Sequence, residues 1–271
     1  RGPGAELLRQ SCAMGFSEPV SRLGLQAEFE AWQVPGAVER VLEELVGVDP
    51  ARVPQEVLII GAATLPVSTL RACLMARLLG AQVRLKTASG LDELAQAISQ
   101  SDPEIHADCF SSTDQEALDR ALESADTVVA LGNDDTLAAI AARLETRHTF
   151  VGYGHRVSAA HLQDPEDHEL TALAHDLLAW DGQGCLSPSV IWTHHDLEDT
   201  AQALLKELAR LETQLPFTPS AEMAHARYVA EALGSMGCMN KIKKHRSTVS
   251  TNGSGQYEYV ACVTKVENRR K

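Results

Sequence analysis

The first regular pattern along the chain is Val38-Glu39-Arg40-Val41-Leu42-Glu43-Glu44-Leu45, whose apolar residues recur at i, i+3, i+4 spacing against an acidic background. That period predicts an amphipathic helix, expected to pack on the next element of the chain. Next comes Glu56-Val57-Leu58-Ile59-Ile60-Gly61-Ala62-Ala63, a short apolar run rich in β-branched residues and closed by small ones. It reads as a strand buried on both faces, as in a parallel sheet. A helix over 68–80 succeeds it, carrying Leu70, Leu74, Leu78 and Leu79 with Gly80 as its stop, and then a strand at Gln82–Lys86. The alternation continues with a helix at 91–100, a strand near Ala107–Phe110, a helix at 114–124, a strand at 126–131, a helix at 134–144 and a strand at 148–153. Strands alternating with helices of this length predict an α/β fold with a doubly wound parallel sheet.

Beyond residue 153 the period is helical over 166–179. A turn and a strand lie within Asp181–Trp192, and helices are expected at 196–214 and 220–233, separated by Pro216 and Pro219. One further strand is expected in Tyr257–Thr264. The division implied is a cofactor-binding domain at 1–155, a segment of a second domain at 156–240, and a tail at 241–271.

Composition narrows the classes. The chain has 271 residues, 44% of them hydrophobic, and a formal net charge of −13. No apolar run is long enough to span a membrane. The tail from Lys241 to Lys271 has eight Lys and Arg against two Asp and Glu, a local +6, which leaves −19 on residues 1–240. So acidic a body does not suit a phosphate backbone, and no nucleic-acid partner is expected. The chain opens Arg-Gly-Pro-Gly without a basic stretch leading into an apolar one, so it is not read as starting with a signal peptide, and a cytoplasmic location is expected. Six cysteines, at 12, 73, 109, 185, 238 and 262, show no CxxC pair and no metal-ligand spacing, and reduced thiols are expected. His194-His195-Asp196 is not read as a metal site, because neighbours on a strand point to opposite faces and no third ligand is suitably spaced.

Cys185 has the most suggestive surroundings of the six: a glycine precedes it and a strand is expected soon after. The string Asp181-Gly182-Gln183-Gly184-Cys185-Leu186-Ser187-Pro188-Ser189 resembles the cysteine motif of the long-chain acyl-CoA reductases of bacterial luminescence operons, a family within the aldehyde dehydrogenase superfamily. The resemblance implies that Cys185 is the nucleophile that accepts an acyl group as a thioester, which a nicotinamide hydride then reduces to aldehyde, with Gln183 beside it in the catalytic set. Thr64-Leu65-Pro66 is similar to the family's Asn-x-Pro, with Thr64 in place of the oxyanion-binding Asn and Pro66 facing the cofactor. Lys86-Thr87-Ala88-Ser89 resembles the Lys-Pro-Ser that contacts the adenosine ribose, which implies cofactor roles for Lys86 and Ser89.

Leu131-Gly132-Asn133-Asp134 is similar to the Gly-Ser turn that opens the helix facing the cofactor pyrophosphate, giving Gly132 and Asn133 backbone roles there. Val151-Gly152-Tyr153-Gly154 occupies the place of Glu-Leu-Gly-Gly, 34 residues before Cys185. It implies cofactor contact at Gly152 and Gly154, and Val151 stands where the water-activating Glu would be. His155, in the adjoining Gly-His-Arg-Val-Ser, is a candidate proton donor to the aldehyde oxygen.

The resemblance covers residues 40–215. With 86 residues after Cys185 (271 less 185), it implies a fragment of the full catalytic architecture. It further implies NADPH as cofactor, acyl-CoA or an acyl-transferase-bound thioester as donor, and a homo-oligomer or acyl-transferase complex. Two other readings stay open: a nucleotide-binding or partner subunit without catalysis, and an acyl-phosphate reductase.

Overall fold

The structure, a computed structural model, describes residues 3–47, 49, 53–62, 65–154, 156, 158–163, 166–182, 184, 187–188, 190–215, 245–246 and 262–265. It has two compact units, one of Arg1–Met14 with Gly24–His155 and one of Gly15–Leu23 with Arg156–Lys271.

The first unit opens with helices α1 (Pro3–Ala13), α2 (Glu18–Gln33, within which the division falls) and α3 (Ala37–Glu43). Strand and helix then alternate: β1 (Glu56–Ile60), α4 (Pro66–Leu78), β2 (Gln82–Lys86), α5 (Asp92–Ser99), β3 (Ile105–Ala107), α6 (Gln115–Ser124), β4 (Thr127–Leu131), α7 (Asp134–Ala141) and β5 (Thr149–Tyr153). The five strands are parallel in the order β3-β2-β1-β4-β5. This is the doubly wound sheet expected from the alternation. Val57, Leu58 and Ile59 of the central strand are at most 2% exposed, which requires cover on both faces. Leu58 and Ile60 join Leu122 of α6 and Leu137 and Ile140 of α7 in one cluster, and by the strand's period of two Val57 and Ile59 face the opposite layer, where α4 packs.

Two local expectations differ from the structure. The spacing in 38–45 does produce α3, but no residue of α3 is buried. The packed helix is α1, which lies on α4 and α5 and buries Leu7, Gln10 and Ser11. Because two of those three are polar, the stripe does not read as apolar. In the same way α2 buries Glu28, which ion-pairs with Arg71 of α4 and accepts from Trp32 Nε1 at 3.0 Å. Burial pushes the Glu28 carboxyl up, but those hydrogen bonds outweigh it and hold it below its ordinary range. The third strand is centred earlier than expected, because Ile105 is the buried anchor opposite Val83 and the chain turns outward at the exposed Cys109.

The second unit contains β6 (Ala159–Leu162), α8 (Asp167–Leu178), a 3₁₀ turn at Ala179–Gly182, β7 (Val190–Thr193), α9 (Leu197–Glu212), β8 (His245–Arg246) and β9 (Cys262–Lys265). The sheet order is β6-β7-β9-β8, with β8 antiparallel to β9 and the other pairs parallel. Thus Cys262–Lys265 of the basic tail forms a strand beside β7. Leu162 and Ile191 from the sheet, Leu170, Leu173 and Leu177 from α8, and Leu204, Leu208 and Leu211 from α9 form the core of this unit. A capping box starts α8, in which the Glu166 amide donates to Glu169 Oε2 at 2.9 Å. The expected helix at 220–233 lies outside the described residues.

Candidate active site

In the first unit the chain leaves β1 toward β2 on one side and returns at β4 on the other, so the sheet has its switch point between β1 and β4. Ligands of doubly wound sheets enter at the carboxyl edge beside such a point. Lys86 ends β2, Gly132 comes directly after β4, and Gly152 lies one residue before the end of β5. Pro66 occupies the first turn of α4, the helix after β1, where a missing amide hydrogen costs no helical bond. Six of the seven expected cofactor residues, Pro66, Lys86, Gly132, Asn133, Gly152 and Gly154, therefore belong to the connections and strand ends at this edge. The seventh, Ser89, is exposed in the turn after β2, next to Gly90 in the left-handed region at φ 87°.

Lys86 is 6% exposed, which is rare for a lysine and requires partners. Its ammonium donates to the Thr87 carbonyl at 3.1 Å and lies 5.3 Å from the centroid of the Phe110 ring. Burial pushes its pKa down, and Asp92 in the first turn of α5 pulls it partly back. The sequence motifs do not indicate Phe110 or Asp92; both come from elements after β2 that the parallel order returns to its end.

At the β4 edge, the Gly132 amide donates to the Tyr153 carbonyl at 3.2 Å and extends the pairing with β5 past the strand end. Asn133 is the N-cap of α7, its side chain accepting from the Thr136 amide at 2.8 Å. One helix-start donor is thus already taken, and Asp134 and Asp135 fill the first turn. Gly154 is constrained by the same turn: a Cβ there would lie 2.3 Å from Asp134 Oδ1. At Gly152 it would lie 3.1 Å from Phe150 Cε1 of the same strand and 3.4 Å from Leu137 Cδ1 of α7, so a larger residue there is crowded from both sides.

In the second unit, the run up to Cys185 begins in the 3₁₀ turn. Trp180 is buried with φ 54°, a left-handed conformation costly for a bulky residue, and its ring meets Phe16 edge-on at 5.2 Å between centroids. Gly182 sits two residues on at φ 70°. Ser187 donates from its hydroxyl to the Asp176 carbonyl at 2.8 Å, and its amide donates to the Gly184 carbonyl at 2.9 Å. The sequence motif contains Ser187 but does not indicate this anchoring role.

Thr64, His155, Gln183 and Cys185, the expected catalytic set, lie outside the described residues. Of the histidines considered for a metal, His194 Nε2 meets His161 Nε2 at 3.0 Å across β6 and β7, while the His195 amide donates to Thr193 Oγ1 at 3.1 Å. Among the described residues no group of three or more His, Cys, Asp or Glu is placed to hold a metal ion.

The fold has close counterparts in solved structures. An aldehyde dehydrogenase from Bartonella henselae matches with a TM-score of 0.58 at 10% identity, over 96% of this chain and 60% of its own. An NAD-dependent benzaldehyde dehydrogenase from Corynebacterium glutamicum matches with 0.58 at 13%, over 94% and 61%. An oxidoreductase from Marinobacter aquaeolei matches with 0.54 at 12%, over 78% and 48%. The fold is that of the aldehyde dehydrogenases, and the chain spans about half to three fifths of the length of these three proteins. No curated protein shows significant sequence similarity to it. Within that fold class, the family model for acyl-CoA reductase (LuxC) matches residues 47–251, about three quarters of the chain, and the chain belongs to that family. The match runs past residue 215, where the resemblance read from the sequence ends. Among the described residues no helix is long and apolar enough to cross a membrane.

Proposed function

We propose that this chain carries the cofactor-binding domain and the nucleophile segment of an NADPH-dependent acyl-thioester reductase that forms fatty aldehyde. The observation that carries the reading is the family match extending through the Gly-Gln-Gly-Cys-Leu-Ser-Pro string at Cys185. The Cys185 thiolate attacks the thioester carbonyl of acyl-CoA or of an acyl group on a transferase. A carbon–sulfur bond forms to Cys185, the bond to the donor sulfur breaks, and the donor leaves as its thiolate, which takes a proton from water. A nicotinamide cofactor in this domain would supply the hydride, and the carbon–sulfur bond to Cys185 would then break to release aldehyde and the Cys185 thiolate.

The residues fit the adenosine end of a dinucleotide. Lys86 offers a buried cation at the carboxyl end of β2, one strand from the switch point, suited to a ribose hydroxyl or 2′-phosphate. At α7 the side chains of Asn133, Asp134 and Asp135 offer no cation and the Gly132 amide is engaged by the Tyr153 carbonyl, so this turn approaches the cofactor through backbone alone, with the Asn133 amide as its donor. His155 lends a proton to the oxygen of the adduct and recovers it as the carbonyl reforms, and Thr64 with amides beside Cys185 stabilises the charge that builds on that oxygen.

Incubation with radiolabelled acyl-CoA followed by denaturing electrophoresis tests this. The expected result is a label on the wild-type chain that Cys185→Ser abolishes. Equal labelling of both removes Cys185 from the nucleophile role.

A further inference from the structure

We propose that Ser187 is a positioning residue, whose hydroxyl fastens the Cys185 segment to the C-terminal end of α8 and thereby sets how the thiol meets an acyl donor. The proposal rests on the reading of Cys185 as nucleophile and adds a residue with a distinct task. The last carbonyls of an α-helix lack intrahelical partners. At the end of α8 the Ala179 amide takes the His175 carbonyl, while the Asp176 carbonyl receives the Ser187 hydroxyl at 2.8 Å. The same hydroxyl lies 3.4 Å from the Ala179 carbonyl.

Ser187 also holds Gly184 through its amide, at 2.9 Å. Residues on both sides of Cys185 in the sequence are therefore joined to each other and to one helix end. Gly184 is fitted closely against this anchor, since a Cβ there would lie 3.2 Å from Ser187 Oγ and 3.9 Å from both the Ala179 carbonyl and Trp180 Cδ1. Trp180 fixes the other end of the link, with its left-handed backbone and its ring packed on Phe16. Backbone strain held in place by surrounding packing is a common form of pre-organisation. A serine is suited to this position because a short hydroxyl reaches a carbonyl without adding bulk beside the glycine.

The test compares Ser187→Ala and Ser187→Thr in the full chain. With acyl-CoA, Ser187→Ala slows acylation of Cys185 about tenfold, the scale of one lost positioning hydrogen bond, and Ser187→Thr restores most of the rate. With iodoacetamide the sign reverses: Cys185 in Ser187→Ala is alkylated faster than in wild type, because a loosened segment is more open to a small reagent. The buried Cys73 and the exposed Cys109 keep their wild-type rates and so report any general unfolding. Gly184→Ala supplies a second arm. It slows acylation in the wild-type background and less in Ser187→Ala, where the crowding hydroxyl is gone.

If Ser187→Ala leaves both Cys185 reactions at wild-type rates, or speeds Cys73 alkylation in parallel, Ser187 has no positioning role. If the wild-type chain takes no label from acyl-CoA, the nucleophile reading fails, and the alkylation ratios still decide whether Ser187 anchors the segment.

Discussion

Two residues of the first unit show how burial alone changes the chemistry of a side chain. Cys73, inside α4, has its thiol pushed up to about 12 by burial, so at neutral pH it is neither charged nor accessible. Mass-spectrometric mapping of alkylation at pH 8 should therefore find Cys109 modified well before Cys73. Lys86 is the opposite case, a cation that burial disfavours. Its pKa is lower in the fold than in the unfolded chain, so the native state binds its proton less tightly, and its contribution to stability is unfavourable at neutral pH. That cost is relieved as pH rises through its lowered pKa toward the ordinary lysine range. Lys86→Met should thus raise the thermal midpoint at pH 7 and reduce the gain in stability on the alkaline side. The same change, or Lys86→Ala, should weaken NADPH binding by about 1–3 kcal/mol, the scale of a charge-assisted hydrogen bond. Unchanged affinity by calorimetry would take Lys86 out of the site.

Among the elements, the contact between β1 and α4 has little tolerance. A Cβ on Gly61 would lie 2.6 Å from Thr69 Oγ1 and 3.2 Å from its Cγ2, and Thr69 is buried in α4. Gly61→Ala should destabilise the chain by about 1–3 kcal/mol in urea unfolding, the usual cost of overpacking. Thr69→Ala should recover part of the loss in the double variant. Independent, additive effects would show that the two residues do not meet.

The first sheet is legible in the sequence because its central strand is a continuous apolar run and each crossover helix has its own period. β2 falls on the residues expected for it, and β4 and β5 to within one residue. What is not legible has physical reasons. Packing of α1 and α2 involves buried Gln10, Ser11 and Glu28, whose polarity hides the stripe. β6 is only four residues, Ala159–Leu162, with Leu162 alone buried, too little to make an alternating pattern. The partners of Lys86 come from positions up to 24 residues later in the chain, Phe110 being the farther, and no local motif encodes them. The residues expected at the cofactor can be located by the motifs because they lie at strand ends, at helix starts or in the short turns between them. The Gly-Gln-Gly-Cys-Leu-Ser-Pro string is recognisable from its residue order alone, while the hydrogen bonds of Ser187 to Asp176 and Gly184 require the fold.

At the scale of the whole molecule, the proposed reductase reading turns on the fate of an acyl group on Cys185. A thioester there can leave by hydride attack or by attack of water. In the aldehyde dehydrogenase motif that Val151-Gly152-Tyr153-Gly154 resembles, the first position is the carboxylate that activates water, and here it is Val151, in the middle of β5 opposite Val129 of β4. Without a positioned base the water route loses the roughly 10²–10⁴-fold that general-base catalysis supplies. The expected behaviour is a stoichiometric burst of acylation in the absence of cofactor with slow release of free acid, and aldehyde once NADPH is added. Val151→Glu should speed acid release if the new carboxylate reaches a water beside the thioester carbon. Product analysis of the wild-type chain with acyl-CoA and no cofactor decides the matter. Rapid multiple turnover to free fatty acid would mean that another group acts as base, with His155 the first to replace, and the reductase reading would give way to a thioesterase one.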